Sequence, residues 1–202
     1  MMTPRPERQL SMAADDAPRE RADAARNRGR ILAAAGELFA SRDPKSVTMG
    51  DIARAAGVGR ATLYRRYPDP ASVAVALLDE HERELQESLI RGAPPLGPGA
   101  APADRLAAFY TAMVDLLDQH LHLALGAETG KARFGTGAYG FWRTHVRSLL
   151  VEAAVPDPEV LIDSVLAPLA PEVYRHQRVW LGHGPARIAA GLAWQAHRLL
   201  DP

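Results

Sequence analysis

The chain has 202 residues, 47% of them hydrophobic, with 24 basic and 24 acidic residues and a formal net charge of zero. It contains no cysteine, which excludes a disulfide framework, a cysteine-ligated zinc and a thiol nucleophile. No apolar run approaches the ~20 residues of a membrane span, and the opening MMTPRPERQL lacks the apolar stretch of a signal peptide, so a soluble cytoplasmic protein is expected.

Residues 1–18 are rich in proline and alanine, lack periodicity and read as a disordered arm, with Arg5 and Arg8 in reach of weak extra contacts. Charge is unevenly spread beyond it. Residues 19–70 hold eleven basic and six acidic side chains, a net +5, and residues 71–202 hold eleven and fifteen, a net −4. A basic head on an acidic body is expected where only the head meets a polyanion. A first helix is predicted over residues 21–41, with Ile31, Leu32, Ala35, Leu38 and Phe39 recurring at helical spacing. Arg26, Arg28 and Arg30 either touch a phosphate backbone or solvate that helix. Asp43-Pro44-Lys45 breaks it.

Residues 48–67, TMGDIARAAGVGRATLYRRY, are the most informative stretch. Thr48 and Asp51 have the spacing of a capping box, with Val47 and Ile52 placed as a hydrophobic staple. Gly57 supplies a left-handed stop. Residues 59–66 then form a second short helix, with Leu63 turned inward and Arg60, Thr62, Tyr64 and Arg65 reaching solvent. Helix, glycine turn and basic second helix is the helix-turn-helix pattern.

These residues resemble the DNA-binding signature of the TetR family of transcriptional repressors. The likeness rests on Thr48-x-x-Asp51-Ile52-Ala53, on Ala56-Gly57-Val58 at the turn, and on Thr62-Leu63-Tyr64-x-x-Tyr67-Pro68. With the preceding helix it covers residues 26–78. Where the family usually begins the next helix with a phosphate-holding lysine, this chain has Pro70. The resemblance implies that the second helix enters the major groove. Arg60 and Thr62 are then candidates for base edges, Arg60 being well placed for guanine O6/N7. Thr48, Tyr64 and Tyr67 are candidates for phosphates, Arg65 for either role, and Ala61 belongs to the same set.

Asp69-Pro70 opens a fourth helix whose inner face is Val73, Ala74, Leu77, Leu78, His81, Leu85 and Leu89. It is expected to carry motion between head and body. Residues 92–102 form a Pro/Gly loop. Further helices are expected over residues 104–125, 138–155, 159–180 and 186–200, with a short element near residues 131–134. Pro156 stops the second of these and Asp157 caps the third, which Pro168 and Pro171 kink or split. No segment alternates with period two, so the fold class is all-α. The domains are an arm (1–18), a three-helix helix-turn-helix bundle (19–68) and a larger helical effector-binding and dimerisation domain (69–202).

Three other patterns carry weaker signals. Residues 135–140 match G-x-G-x-x-G, but no strand precedes them and no βαβ unit surrounds them, so a helix start is expected instead of a dinucleotide site. His120 and His122, two apart on a helix, diverge and cannot readily share a metal ion. No G-x-S-x-G or similar nucleophile motif supports a small helical enzyme, and neither metal nor cofactor is expected.

The resemblance implies an effector pocket between the helices of the second domain. Its candidate lining is Phe109, Met113, Leu117, His120, Phe134, Phe141, Trp142 and His145. It also implies that the last two long helices pair with a symmetry mate as a four-helix bundle. Leu161, Val165, Leu192 and Leu199 are the candidate interface. The reading is a homodimeric DNA-binding regulator, a repressor released from a palindromic operator by a small molecule. An activator or ligand-independent regulator of the same fold is the alternative.

Overall fold

The computed structural model describes residues 9–42, 46–127 and 134–201. They form α1 (Gln9–Ser41), α2 (Met49–Ala56), α3 (Arg60–Arg66), α4 (Pro70–Arg91), α5 (Pro102–Ala127), α6 (Gly137–Glu152), α7 (Pro158–Leu166), α8 (Pro171–Arg175) and α9 (Pro185–Leu200). No strand occurs among the described residues, and the fold is all-α. The chain divides into two compact units between Leu77 and Leu78, within α4.

In the first unit, the head, α1 begins at Gln9 and not near residue 21. The helix runs through Pro18, with alanines, the best helix formers, at 13, 14 and 17. Residues 1–8, with Arg5 and Arg8, and the break at 43–45 lie outside the described residues. Ile31, Leu32 and Ala35 of α1 are buried with Val47, Ile52, Ala53, Ala56 and Leu63, so the spacing read from the sequence is the core face. Val73 and Leu77 of α4 join the same core, which is why the first turns of that helix go with the head. Asp69 caps α4 as expected, its carboxylate accepting from the Ser72 amide at 2.7 Å.

In the second unit, the body, α5 is the central helix and packs most extensively on α9, with α6 and α8 also against it. Its buried face is Leu106, Phe109, Tyr110, Met113, Val114 and Leu117. The buried Tyr110 hydroxyl donates to the Val165 carbonyl at 2.8 Å, which satisfies it in the interior. At His120 the backbone leaves helical geometry (φ −126°, ψ 20°), so α5 is kinked there, which the sequence reading did not foresee. The proline-bearing span after Asp157 is split as expected into α7, a 3₁₀ turn at Ala167–Leu169, α8 and a π-turn at His176–Trp180. Asp157 does not cap α7 with its side chain. It sits at φ 48°, and in that left-handed conformation makes no cap bond. The glycine motif proves to be a capped helix start, with Thr136 Oγ1 accepting from the Tyr139 amide at 3.1 Å.

Candidate nucleic-acid interface

The interface is built outward from local hydrogen bonds. At the start of α2 the Thr48 hydroxyl accepts from the Asp51 amide, and the Asp51 carboxylate accepts from the Thr48 amide, both at 3.2 Å. The Thr48 hydroxyl also donates to Asp51 Oδ2 at 2.5 Å. These bonds from Thr48, side chain first and then backbone, hold the Asp51 carboxyl below the ordinary carboxylate range. Gly57 ends α2 at φ 61°, and the Val58 amide then reaches back to the Ala53 carbonyl at 3.1 Å. Any side chain at Gly57 would be strained by that backbone. It would also meet Arg30, whose Nη2 would stand 2.6 Å from a Cβ there.

The turn aims α3. Leu63 is fully buried and fixes the helix in rotation. Arg60, Ala61, Tyr64, Arg65 and Arg66 are thereby exposed, and Thr62 is half-buried. Tyr64 is 53% exposed, unusual for so large a ring without a partner surface. Arg65 and Arg66 occupy the last turn, where the helix dipole favours cations.

Two of the expected phosphate contacts are differently employed. The Tyr67 ring is buried in the head core, with its hydroxyl 3.5 Å from Arg28 Nη1, because the extended residue after α3 turns its side chain back under the helix. The Thr48 hydroxyl is committed to the cap in both directions, as donor and acceptor. The arginines of α1 also separate. Arg26 pairs with Asp23, and Arg30 donates to the Gly57 carbonyl at 3.0 Å, tying α1 to the turn. Arg30 was missed as a structural residue, because its acceptor lies 27 positions away.

In the body, the expected pocket residues are mostly buried. Phe109 is fully buried, with its ring 5.7 Å from Trp142 and 5.2 Å from His145. Met113, Leu117 and Trp142 are core residues. Phe141 packs edge-on to Trp142, whereas Phe134 is 60% exposed. His120 is buried against His81, with Nε2 and Nδ1 at 2.5 Å. Burial pushes the His120 and His145 pKa values down to about 4, His120 with help from His81 and His122, and His145 with help from Arg105. A groove of about 310 Å³ lies one position round α5, lined by His81, Glu84, Leu85 and Ser88 of α4 and Ala112, Asp115, Leu116 and Gln119 of α5. Phe109 meets the Trp142 and His145 rings of α6, and Met113 and Leu117 are buried in the same core, so their neighbours on α5 are left to line open space. The sequence signal for the groove is the matched series 81, 84, 85, 88 and 112, 115, 116, 119, both with helical spacing.

The expected dimer residues are also corrected in part. Val165 and Leu192 fill the body's own core, and Leu161 and Leu199 are half-buried against it. The large apolar side chains left outside on these last elements are Val160, Val173, Val179, Trp180, Leu181 and Trp194. Helical spacing identifies stripes but does not say which stripe faces inward.

Residues 31–77 match the family model described as bacterial regulatory proteins, tetR family. The chain is 35% identical over 107 residues to an uncharacterised helix-turn-helix transcriptional regulator of Mycobacterium tuberculosis, covering 52% of this chain and 51% of that one. It is 40% identical over 82 residues to the transcriptional repressor LfrR of Mycolicibacterium smegmatis, covering 40% and 42%. The matched stretch thus spans about half the length of these relatives, or less. Among solved structures, the regulator FadR of Bacillus subtilis, in complex with stearoyl-CoA, superposes with a TM-score of 0.57 at 14% identity, over 83% of this chain and 96% of that one. At that identity the likeness shows the fold. The capped α2, the Gly57 turn and the outward face of α3 all lie within the stretch that matches the tetR-family model.

Proposed function

We propose that the chain is a DNA-binding transcriptional regulator in which α3 reads the major groove of a palindromic operator. The observation that carries this is the face of α3: Leu63 is buried, so Arg60, Tyr64 and Arg65 project outward on a helix held by a capped neighbour. Arg60 is the base-reading side chain, with Thr62 beside it, and Tyr64 and Arg65 meet phosphates. A mobility shift on the DNA upstream of its own gene tests this, with salt titrated. Binding should weaken steeply with salt, as counterion release requires. Arg60→Ala should cost about 1–3 kcal/mol and relax preference at one base position. Equal weakening on every sequence would make Arg60 a phosphate contact, and salt-insensitive binding would remove the reading altogether.

The working unit is a homodimer. The exposed Val179, Trp180 and Leu181, which precede α9 in the chain, and Trp194 on α9 are the apolar side chains that a second copy would cover. Sedimentation equilibrium at the mass of one chain would overturn this. The regulator is a repressor released by a small molecule, supported by the repressor LfrR and by the stearoyl-CoA held by the B. subtilis protein. The groove between α4 and α5 offers such a ligand space beside the helix that also contributes to the head core. A ligand releases DNA only by binding better to the form whose heads are wrongly spaced. Deleting the gene should raise transcription from its target promoter, whereas a fall would make the protein an activator. Unchanged operator affinity with the ligand site saturated would make it a ligand-independent regulator.

A further inference from the structure

Gly50 is the second residue of α2, inside its first turn. Among the described glycines, those at 57, 99 and 182 have positive φ, and Gly50 does not, so its backbone would accept any L residue. A glycine in helical backbone loses more freedom on folding than alanine does and weakens the helix. α2 has only eight residues, and its buried face is Met49, Ile52, Ala53 and Ala56, so nothing in the core of the head asks for a glycine at 50. What asks for it stands above the position. A Cβ on Gly50 would meet Arg60 of α3, with Nη2 at 3.2 Å and Cζ at 3.8 Å, and the Thr48 hydroxyl at 3.6 Å. The guanidinium end of Arg60 therefore lies against the start of α2, in the space that a side chain there would take.

Two properties of Arg60 make that contact matter. No hydrogen bond or ion pair engages its guanidinium among the described residues, so its donors remain for a base edge. The Thr48 hydroxyl beside it is committed to Asp51 in both directions and does not capture it. A long arginine also carries rotamer freedom that binding must remove, and a wall of bare backbone on one side removes part of it before DNA arrives. Bidentate recognition of guanine O6/N7 needs the planar fork held in one orientation. We propose that Gly50 is a specificity-determining position, whose missing side chain lets the Arg60 guanidinium rest on the first turn of α2 and so sets the base that Arg60 reads. Gly50 is a positioning residue and acts through Arg60. The inference rests on the DNA-binding reading above, and it extends the base-reading unit from α3 to the helix before it.

The test is a double-mutant cycle between positions 50 and 60. It is read as affinity for the DNA upstream of the protein's own gene and for single-base variants of the bound site, with the urea midpoint of the head measured alongside. Gly50→Leu should weaken binding roughly tenfold and lose preference at the same base pair as Arg60→Ala. Gly50→Ala should have the same effect in smaller measure while leaving the head at least as stable, because alanine is the better helix former. A gain in stability joined to a loss of base preference is a signature that a merely structural glycine would not give. In an Arg60→Ala background neither substitution should weaken binding further. Should Gly50→Leu lose the head's cooperative unfolding transition, Gly50→Ala decides the matter. If both variants keep the wild-type ranking of base variants, or if Gly50→Leu weakens binding equally with and without Arg60, Gly50 does not act through Arg60 and the proposal is wrong, while the DNA reading stands. If wild-type protein itself binds without salt dependence, the DNA reading has failed and the inference falls with it.

Discussion

Head and body treat their polar side chains in opposite ways. In the head, the arginines of α3 stand in solvent, and the described buried residues are apolar apart from the Tyr67 hydroxyl. In the body, His120 and His145 are buried, and the Arg105 side chain is only 13% exposed where it pairs with Glu152. His145 Nε2 is enclosed without a hydrogen-bond partner among the described residues. A surface meant for a polyanion gains from hydrated, exposed charge, which keeps long reach and costs nothing to desolvate in the free protein. An interior with buried imidazoles has the opposite property, because its stability depends on keeping those rings neutral. The comparison therefore separates the two units by what should perturb them.

The largest expected effect is on the head. Leu63→Ala should cost about 2–5 kcal/mol of head stability and abolish the DNA shift, while a body-specific probe such as Trp142 fluorescence unfolds with an unchanged midpoint. A single common transition that moves for both probes would show that the units are not energetically separate. Acid acts on the other side of the comparison. His120 and His145 titrate at about 4 in the folded body and near 6.5 when unfolded, so the unfolded chain takes up more protons between those values. Body stability should fall as pH drops through that window, by about 2 kcal/mol per histidine at pH 5 relative to pH 7.5. Urea midpoints at the two pH values check this, and His145→Gln should flatten the dependence. A body as stable at pH 5 as at pH 7.5 would contradict the neutral buried rings. Smallest is the cap. Thr48→Ala should cost the head about 1 kcal/mol through loss of the hydroxyl's bonds to Asp51, while the backbone arm of the box remains, read as a modest shift in its urea midpoint, with Thr48→Ser close to wild type.

The same comparison describes how legible the chain was. The capping box at Thr48 and Asp51, the left-handed Gly57, the inward Leu63 and the Asp69 cap are all where their spacing puts them. Each is decided by partners within a few residues. The failures share the opposite feature. Tyr67 looked available until α1 placed Arg28 over it. His120 was weighed against His122, two positions along, and its partner is His81 across on α4.

From its order of residues alone, this chain determined an all-helical fold, a capped helix-turn-helix and the residues that α3 turns outward, because helix caps, glycine turns and 3.6-residue stripes are enforced by hydrogen bonds and sterics between near neighbours. Tertiary structure alone decided that Leu192 faces in while Trp194 faces out, that Ala112 and Leu116 line a groove with α4, and that Arg30 braces a turn. Those outcomes depend on which distant surface arrives to exclude water, and a helix carrying two apolar stripes is equally willing to bury either until that surface comes.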